Sequence, residues 1–259
     1  MHSSLWIGLL LVVAGSWLAF ARRWLSAGGA LAAAAVGAAV CWGGGWPGLA
    51  ALLWFFATGT LLGKLPVRVA TPIPKHHTPR DSWQVLANGG VPALLFIMYV
   101  VWPYPPLVWA AYACLSAAAA DTWSSSIGQW RAGATYNPIT WRPMAAGVSG
   151  GVSLKGTLAG VAGASTMAVL AGAWGSVPPR VAASLAGLGV AGGYVDSLLG
   201  WLLQAKYKGP NGQWADEPPA GSAPRPQRGY ACINNDMVNL LSLLITALAA
   251  IVVYSKSSL

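Results

Sequence analysis

The chain has 259 residues, of which 56% are hydrophobic and only 8% charged, with 15 Lys and Arg against 6 Asp and Glu and a mean hydropathy of +0.55. A soluble domain carries about 25% charged residues, so this composition excludes an ordinary water-soluble fold and indicates a polytopic helical membrane protein. The net charge of +9 does not read as a nucleic-acid footprint, because the basic residues cluster in short connectors and the chain carries 15 tryptophans, a pattern of membrane anchoring.

Eight apolar stretches follow in order, at roughly 5–20, 27–43, 46–63, 86–102, 105–125, 156–175, 181–203 and 236–254. Several are shorter than the ~20 residues that cross a hydrocarbon core. The second, third and fourth are therefore candidates for tilted, kinked or re-entrant segments, and the expected fold is an all-α membrane bundle of about eight transmembrane helices, with six as the lower bound. The first stretch has no basic region before it and no small-residue cleavage site after it, so it reads as a retained helix. Cys41, Cys114 and Cys232 are scattered, without metal-ligand spacing, and read as free thiols.

With the N-terminus outside, thirteen of the fifteen basic residues fall in inside connectors, leaving Arg180 and Lys256 outside. The positive-inside rule supports that orientation. The six acids, Asp81, Asp121, Asp196, Asp216, Glu217 and Asp236, lie on the same side, in connectors or in the inward parts of helices. The polar chemistry is thus expected at one leaflet.

Asp121 stands in Ala120-Asp121-Thr122-Trp123-Ser124-Ser125-Ser126-Ile127-Gly128, at the end of an apolar run. A carboxylate at membrane depth is costly and marks a functional site. Helical spacing puts Asp121, Ser124, Ser125 and Gly128 on one face. The seventh stretch repeats Asp196, Gly200 and Gln204 at i, i+4 and i+8, and the eighth begins Asn234-Asn235-Asp236-Met237-Val238-Asn239. Three carboxylates and several amides thereby reach similar depth from three helices, a hard oxygen set suited to Mg²⁺. Asp236 also sits where the helix macrodipole favours an acid, and the small residues near Asp121 and Asp196 also permit close helix packing.

Two connectors would face this cluster. Lys64 to Trp83 holds four prolines, the basic residues Lys64, Arg68, Lys75 and Arg80, and the pair His76-His77, then runs into Gln84-Val85-Leu86-Ala87-Asn88-Gly89. Its basic side chains either meet phosphate or serve only as topology anchors; the histidines have no convincing metal partners. The stretch Gly147-Val148-Ser149-Gly150-Gly151-Val152-Ser153-Leu154-Lys155-Gly156-Thr157 leads into a helix. Its backbone N–H groups suit an anion at a helix N-terminus. The alternative is a turn followed by a Gly156, Gly160, Ala164 packing stripe.

The Gln84 to Gly89 motif, the Asp121-Thr122 motif with Ser125 and Gly128, the Gly147 to Thr157 stretch and Asp196-Ser197-Leu198-Leu199-Gly200 together resemble the integral-membrane family, domain of unknown function 92, that includes transmembrane protein 19 and phytyl-phosphate kinase. The resemblance covers the chain from about Lys64 onward. It implies one integral-membrane domain over 1–259, with 1–63 as N-terminal helices and 64–259 as the family-like core. It also implies a kinase that passes a nucleoside triphosphate's terminal phosphoryl group to a polyprenyl monophosphate, phytyl phosphate being the type acceptor. The chain departs from the family in carrying Ser126 where an acid is common, and Val148 where Thr is usual.

On this reading Asp121, Asp196 and Asp236 are the catalytic and Mg²⁺-binding acids. Lys75, Arg80, Gln84, Asn88, Ser125, Gly147, Gly150, Gly151, Ser153, Lys155, Asn235 and Asn239 would bind substrate or phosphate. The expected co-substrate is CTP or another nucleoside triphosphate, the partners are a polyprenyl phosphate and membrane lipids, and no nucleic acid is expected. The expected location is a bacterial inner membrane with the site on the cytoplasmic face. Rival readings are a transporter or flippase and a lipid-phosphate nucleotidyltransferase.

Overall fold

A computed structural model describes residues 2–66, 78–130, 133–174, 177–209, 212–218 and 225–256. Among these are seven helices: α1 (His2–Ala21), α2 (Ala27–Leu62), α3 (Ser82–Val101), α4 (Pro105–Trp130), α5 (Leu154–Ala173), α6 (Pro179–Leu202) and α7 (Asn235–Lys256). Six of them, all but α4, are long and apolar enough to cross a membrane. Two short antiparallel ribbons accompany them, β1 (Thr135–Tyr136) with β2 (Val152–Ser153), and β3 (Tyr207–Lys208) with β4 (Trp214–Ala215). The fold is therefore the all-α polytopic bundle expected from composition.

The second and third apolar stretches form one hydrogen-bonded element, α2, that doubles back at Gly45. There φ is +59° and ψ is −157°, a conformation essentially reserved for glycine. Beyond the break Gly48 packs against Val40, and Lys64 after the helix lies 4.6 Å from the ring of Trp24 before it. In a straight helix of this length those two residues would be roughly 50 Å apart. The eight expected stretches thus correspond in order to eight helical segments.

α4 is the centre. Residues Trp109 to Ala120 are buried without interruption, and α2, α3, α5, α6 and α7 all pack around them. The reason is side-chain size: alanines dominate this run, and glycines face it from the neighbours. Gly156, Gly160 and Gly163 of α5 lie against Ser124, Ala120 and Ala119, while Gly189 of α6 lies against Ser116. The packing stripe on α5 is therefore real. By contrast α1 packs on α2 and turns Trp6, Leu10, Val13 and Trp17 outward.

The described parts of the connectors after α1, α2, α4 and α6 gather at one end of the bundle. Leu25 bridges Arg80, and Asp81 is an electrostatic neighbour of Asp236. At this end α3 begins with a capping box: Asp81 accepts from the Gln84 N–H at 3.0 Å and the Gln84 side chain accepts from the Asp81 N–H at 3.3 Å.

Candidate functional site

The site begins with how closely α6 approaches α4 and α7. Gly192 lies against Ala117 and Thr246, and Gly193 against Ala120 and the backbone of Asp121. A larger residue at Gly192 would separate the three helices. With it absent, the next turn of α6 brings Asp196 into side-chain hydrogen-bond contact with Asp121. Asp196 is 8% exposed and also accepts a hydrogen bond from Ser242 of α7 at 3.2 Å.

On the other side of Asp121 opens a cavity of about 660 Å³ between α1, both arms of α2, α3, α4 and the start of α7. Its polar end carries Asp121, Ser125 and Ser126 from α4, Gln84 and Asn88 from α3, Asn235, Asp236 and Asn239 from α7, and Arg80. Its long apolar end is walled by α1 and α2, with Val12, Val36, Leu49 and Phe55 among the lining residues.

Two features of the polar end call for a ligand. Arg80 is drawn in from the connector: its guanidinium donates to the Gly59 carbonyl at 3.0 Å and lies 5.9 Å from the Phe56 ring, and among the described residues no carboxylate forms a salt bridge with it. Burial lowers its pKa from the ordinary value. Asn239 is 8% exposed, and its buried Oδ1 has no hydrogen-bond partner among the described residues. A buried polar atom without a partner costs free energy. The Asn239 amide oxygen lines the same cavity as the carboxylates of Asp121 and Asp236, and oxygen donors of these kinds are the ligands that Mg²⁺ takes. Among the described residues no three Asp, Glu, His or Cys side chains form a metal-holding cluster. The acids are arranged as a contacting pair, Asp121 with Asp196, and a separate Asp236 on the same cavity.

The family model described as "Integral membrane protein DUF92" matches residues 10–247. The chain belongs to that family. The match reaches into α1, so the N-terminal helices that wall the cavity are part of the family fold. Similar to it are an uncharacterized membrane protein of Methanocaldococcus jannaschii, 24% identical over 96% of this chain and 94% of that protein, and an uncharacterized membrane protein of Synechocystis, 30% identical over 49% of this chain and 51% of that one. No solved structure matches.

In this DUF92 protein the glycine-rich stretch stands apart from the cavity. Gly147 and Gly150 both have φ +87°, so the turn requires glycine there. Gly150 packs on Trp201 and Ser197 of α6, Gly151 packs on Thr135, and Gly200 provides the seat for Ser149. The Ser149 N–H donates to the Asp216 carboxylate at 3.0 Å, and the Ser149 hydroxyl donates to Gln204 at 2.7 Å. Lys206, fully buried, donates to the Ser149 carbonyl at 2.8 Å and pairs with Asp216 at 3.2 Å. An anion does bind this loop's backbone, and it is the chain's own Asp216. Ser153 caps α5 by accepting from the Gly156 N–H at 3.2 Å, and Lys155 is exposed in the first turn. Lys75 and the histidine pair lie outside the described residues.

Gln129 was not among the expected site residues, yet it lines the cavity. Its signal was available, since Asp121, Ser125 and Gln129 repeat at i, i+4 and i+8. Ser126, at the position of the family acid, also faces the cavity.

Proposed function

We propose that this integral membrane protein transfers the terminal phosphoryl group of a nucleoside triphosphate, CTP or another, to a polyprenyl monophosphate of the phytyl type. The observation that carries the reading is the two-ended cavity. Arg80, which has no carboxylate in salt-bridge contact among the described residues, and an oxygen-rich cluster stand at one end and a long apolar chamber at the other, which together match an anionic head on a hydrocarbon tail. A carrier would centre its site near the midplane, whereas these polar groups collect at the end of the bundle where the connectors gather. In a bacterial inner membrane that end would be cytoplasmic, the side of the nucleotide pool, in keeping with the basic connectors.

Arg80 receives the acceptor's phosphate. Asp121, Asp236 and the Asn239 amide oxygen would hold Mg²⁺, which neutralises phosphate charge when bound. Asp196 stands behind Asp121 and fixes it. Gln84, Asn88, Ser125 and Asn235 complete the polar wall and orient the two phosphates in line. An acceptor phosphate oxygen then bonds to the γ-phosphorus while the bond from that phosphorus to its bridging oxygen breaks, releasing the nucleoside diphosphate. The acceptor monoester is already ionised near neutral pH, so the step needs no dedicated base.

The test uses the full chain in nanodiscs with Mg²⁺, a panel of nucleoside triphosphates and phytyl monophosphate, with diphosphate product read by mass spectrometry. Product from the wild type, none from Asp121→Asn, and a raised acceptor KM in Arg80→Gln are expected. No diphosphate from any pair, with the lipid still bound, would move the assignment to transport or binding.

A further inference from the structure

Most glycines near the α1 and α2 contact serve packing. Gly8 lies against Cys41, Gly37 lies against Val12, and Val12, Cys41 and Leu49 form a small buried cluster. That cluster lies at the far end of the cavity, where Val12 and Leu49 are lining residues. Gly15 is different. It lines the cavity one turn nearer the polar end, and a Cβ added there would meet no atom within 4 Å. Glycine inside a helix is less favourable than alanine, and among the described residues nothing presses on Gly15 to demand it. Counted from the Ala21 end of α1, Gly15 lies about 9 Å down the helix and Val12 about 14 Å, so Gly15 borders the passage between the headgroup end and the floor.

We propose that Gly15 determines the tail length this cavity accepts, and that the occupant is a single-chain isoprenoid monophosphate whose phosphate sits at Arg80 and whose tail runs past Gly15 to the Val12–Leu49 floor. This rests on the reading of the cavity as a lipid-phosphate site. A single-chain occupant fits this cavity, whose described lining has Arg80 as its one basic residue beside a single apolar chamber. A side chain at residue 15 projects into that chamber and blocks its far part, leaving the headgroup end untouched.

The experiment measures binding, independent of turnover. Full-length protein in nanodiscs is incubated with geranyl, farnesyl, geranylgeranyl or phytyl monophosphate, or with dioleoyl phosphatidic acid, and retained lipid is quantified by native mass spectrometry. Gly15→Ala, Gly15→Leu and Gly15→Phe are compared with the wild type and with Val13→Phe, a residue 61% exposed on the outer face of α1. The wild type, Gly15→Ala and Val13→Phe should retain the longer monophosphates. Gly15→Leu and Gly15→Phe should lose them by about tenfold or more while keeping the geranyl compound. If Gly15→Phe does not fold, Gly15→Leu carries the comparison, since leucine favours the helix. An unchanged length profile in both, with the wild type binding normally, overturns the role of Gly15 and leaves the lipid-phosphate site standing. No retention of any monophosphate by the wild type, or preference for phosphatidic acid, overturns the occupant itself.

Discussion

Asp196 and Asp121 meet side chain to side chain across the α4–α6 interface, yet only Asp121 reaches the cavity. The difference in position predicts a difference in consequence. Asp121→Asn should lower diphosphate formation by about a hundredfold or more, the scale of losing a charged group aimed at the reacting centre. Asp196→Asn, which keeps a hydrogen-bonding partner for Ser242, should cost about tenfold and leave the melting temperature nearly unchanged. Parallel turnover and thermal-unfolding measurements decide it; the reverse order of effects would make Asp196 the metal ligand.

Ser126 faces the same cavity from α4. Replacing it by glutamate adds an oxygen donor to the proposed Mg²⁺ set of Asp121, Asp236 and Asn239. Ser126→Glu should therefore bind Mg²⁺ more tightly and raise turnover by about tenfold, read from the Mg²⁺ dependence of the rate. A lower rate with weaker Mg²⁺ dependence would mean that the added charge repels the phosphates.

Gly45 holds the turn of α2 at φ +59° and ψ −157°. An alanine there carries a strain cost of about 1–3 kcal/mol. Gly45→Ala should unfold at lower temperature in detergent, whereas Gly15→Ala, with open space around it, should not.

Lys206 and Asp216 form a buried pair beneath Ser149. Lys206→Met alone removes the carboxylate's ion-pair partner and should cost about 3–5 kcal/mol, while the double replacement Lys206→Met with Asp216→Leu, which also takes the acceptor from the Ser149 N–H, should recover only part of that loss. A double-mutant cycle on unfolding free energy measures the coupling.

Helical periodicity was enough to put Asp121 with Ser125 on one face of α4 and Asn235 with Asn239 on one face of α7, and the fold brings both faces to the same cavity. The hairpin in α2 was legible as two short stretches around Gly43-Gly44-Gly45, though not as one element folded at a single glycine. The glycine-rich stretch misled for a specific reason: a loop built to bind an anion does not reveal whether the anion is a ligand or a carboxylate 67 residues along the chain, as Asp216 is from Ser149. Nor does spacing within a helix report which neighbour it meets, so the contact of Asp121 with Asp196 depended on Gly192 and Gly193 letting α6 come close. The cavity depended on α1 and both arms of α2 folding beside α3 and α4, a tertiary arrangement that periodicity does not encode.

Arg80 ties the two arms of α2 to the start of α3: its carbonyl accepts the Ser26 N–H at 2.9 Å, its own N–H donates to the Trp24 carbonyl at 3.0 Å, and its guanidinium holds the Gly59 carbonyl. The same side chain supplies the positive charge at the mouth of the chamber. On the proposed reading, an anion arriving there would draw on the N–H groups that keep the far arm of the hairpin in place, so occupancy of the head site and the stiffness of the hydrocarbon wall would be thermodynamically linked through a single residue.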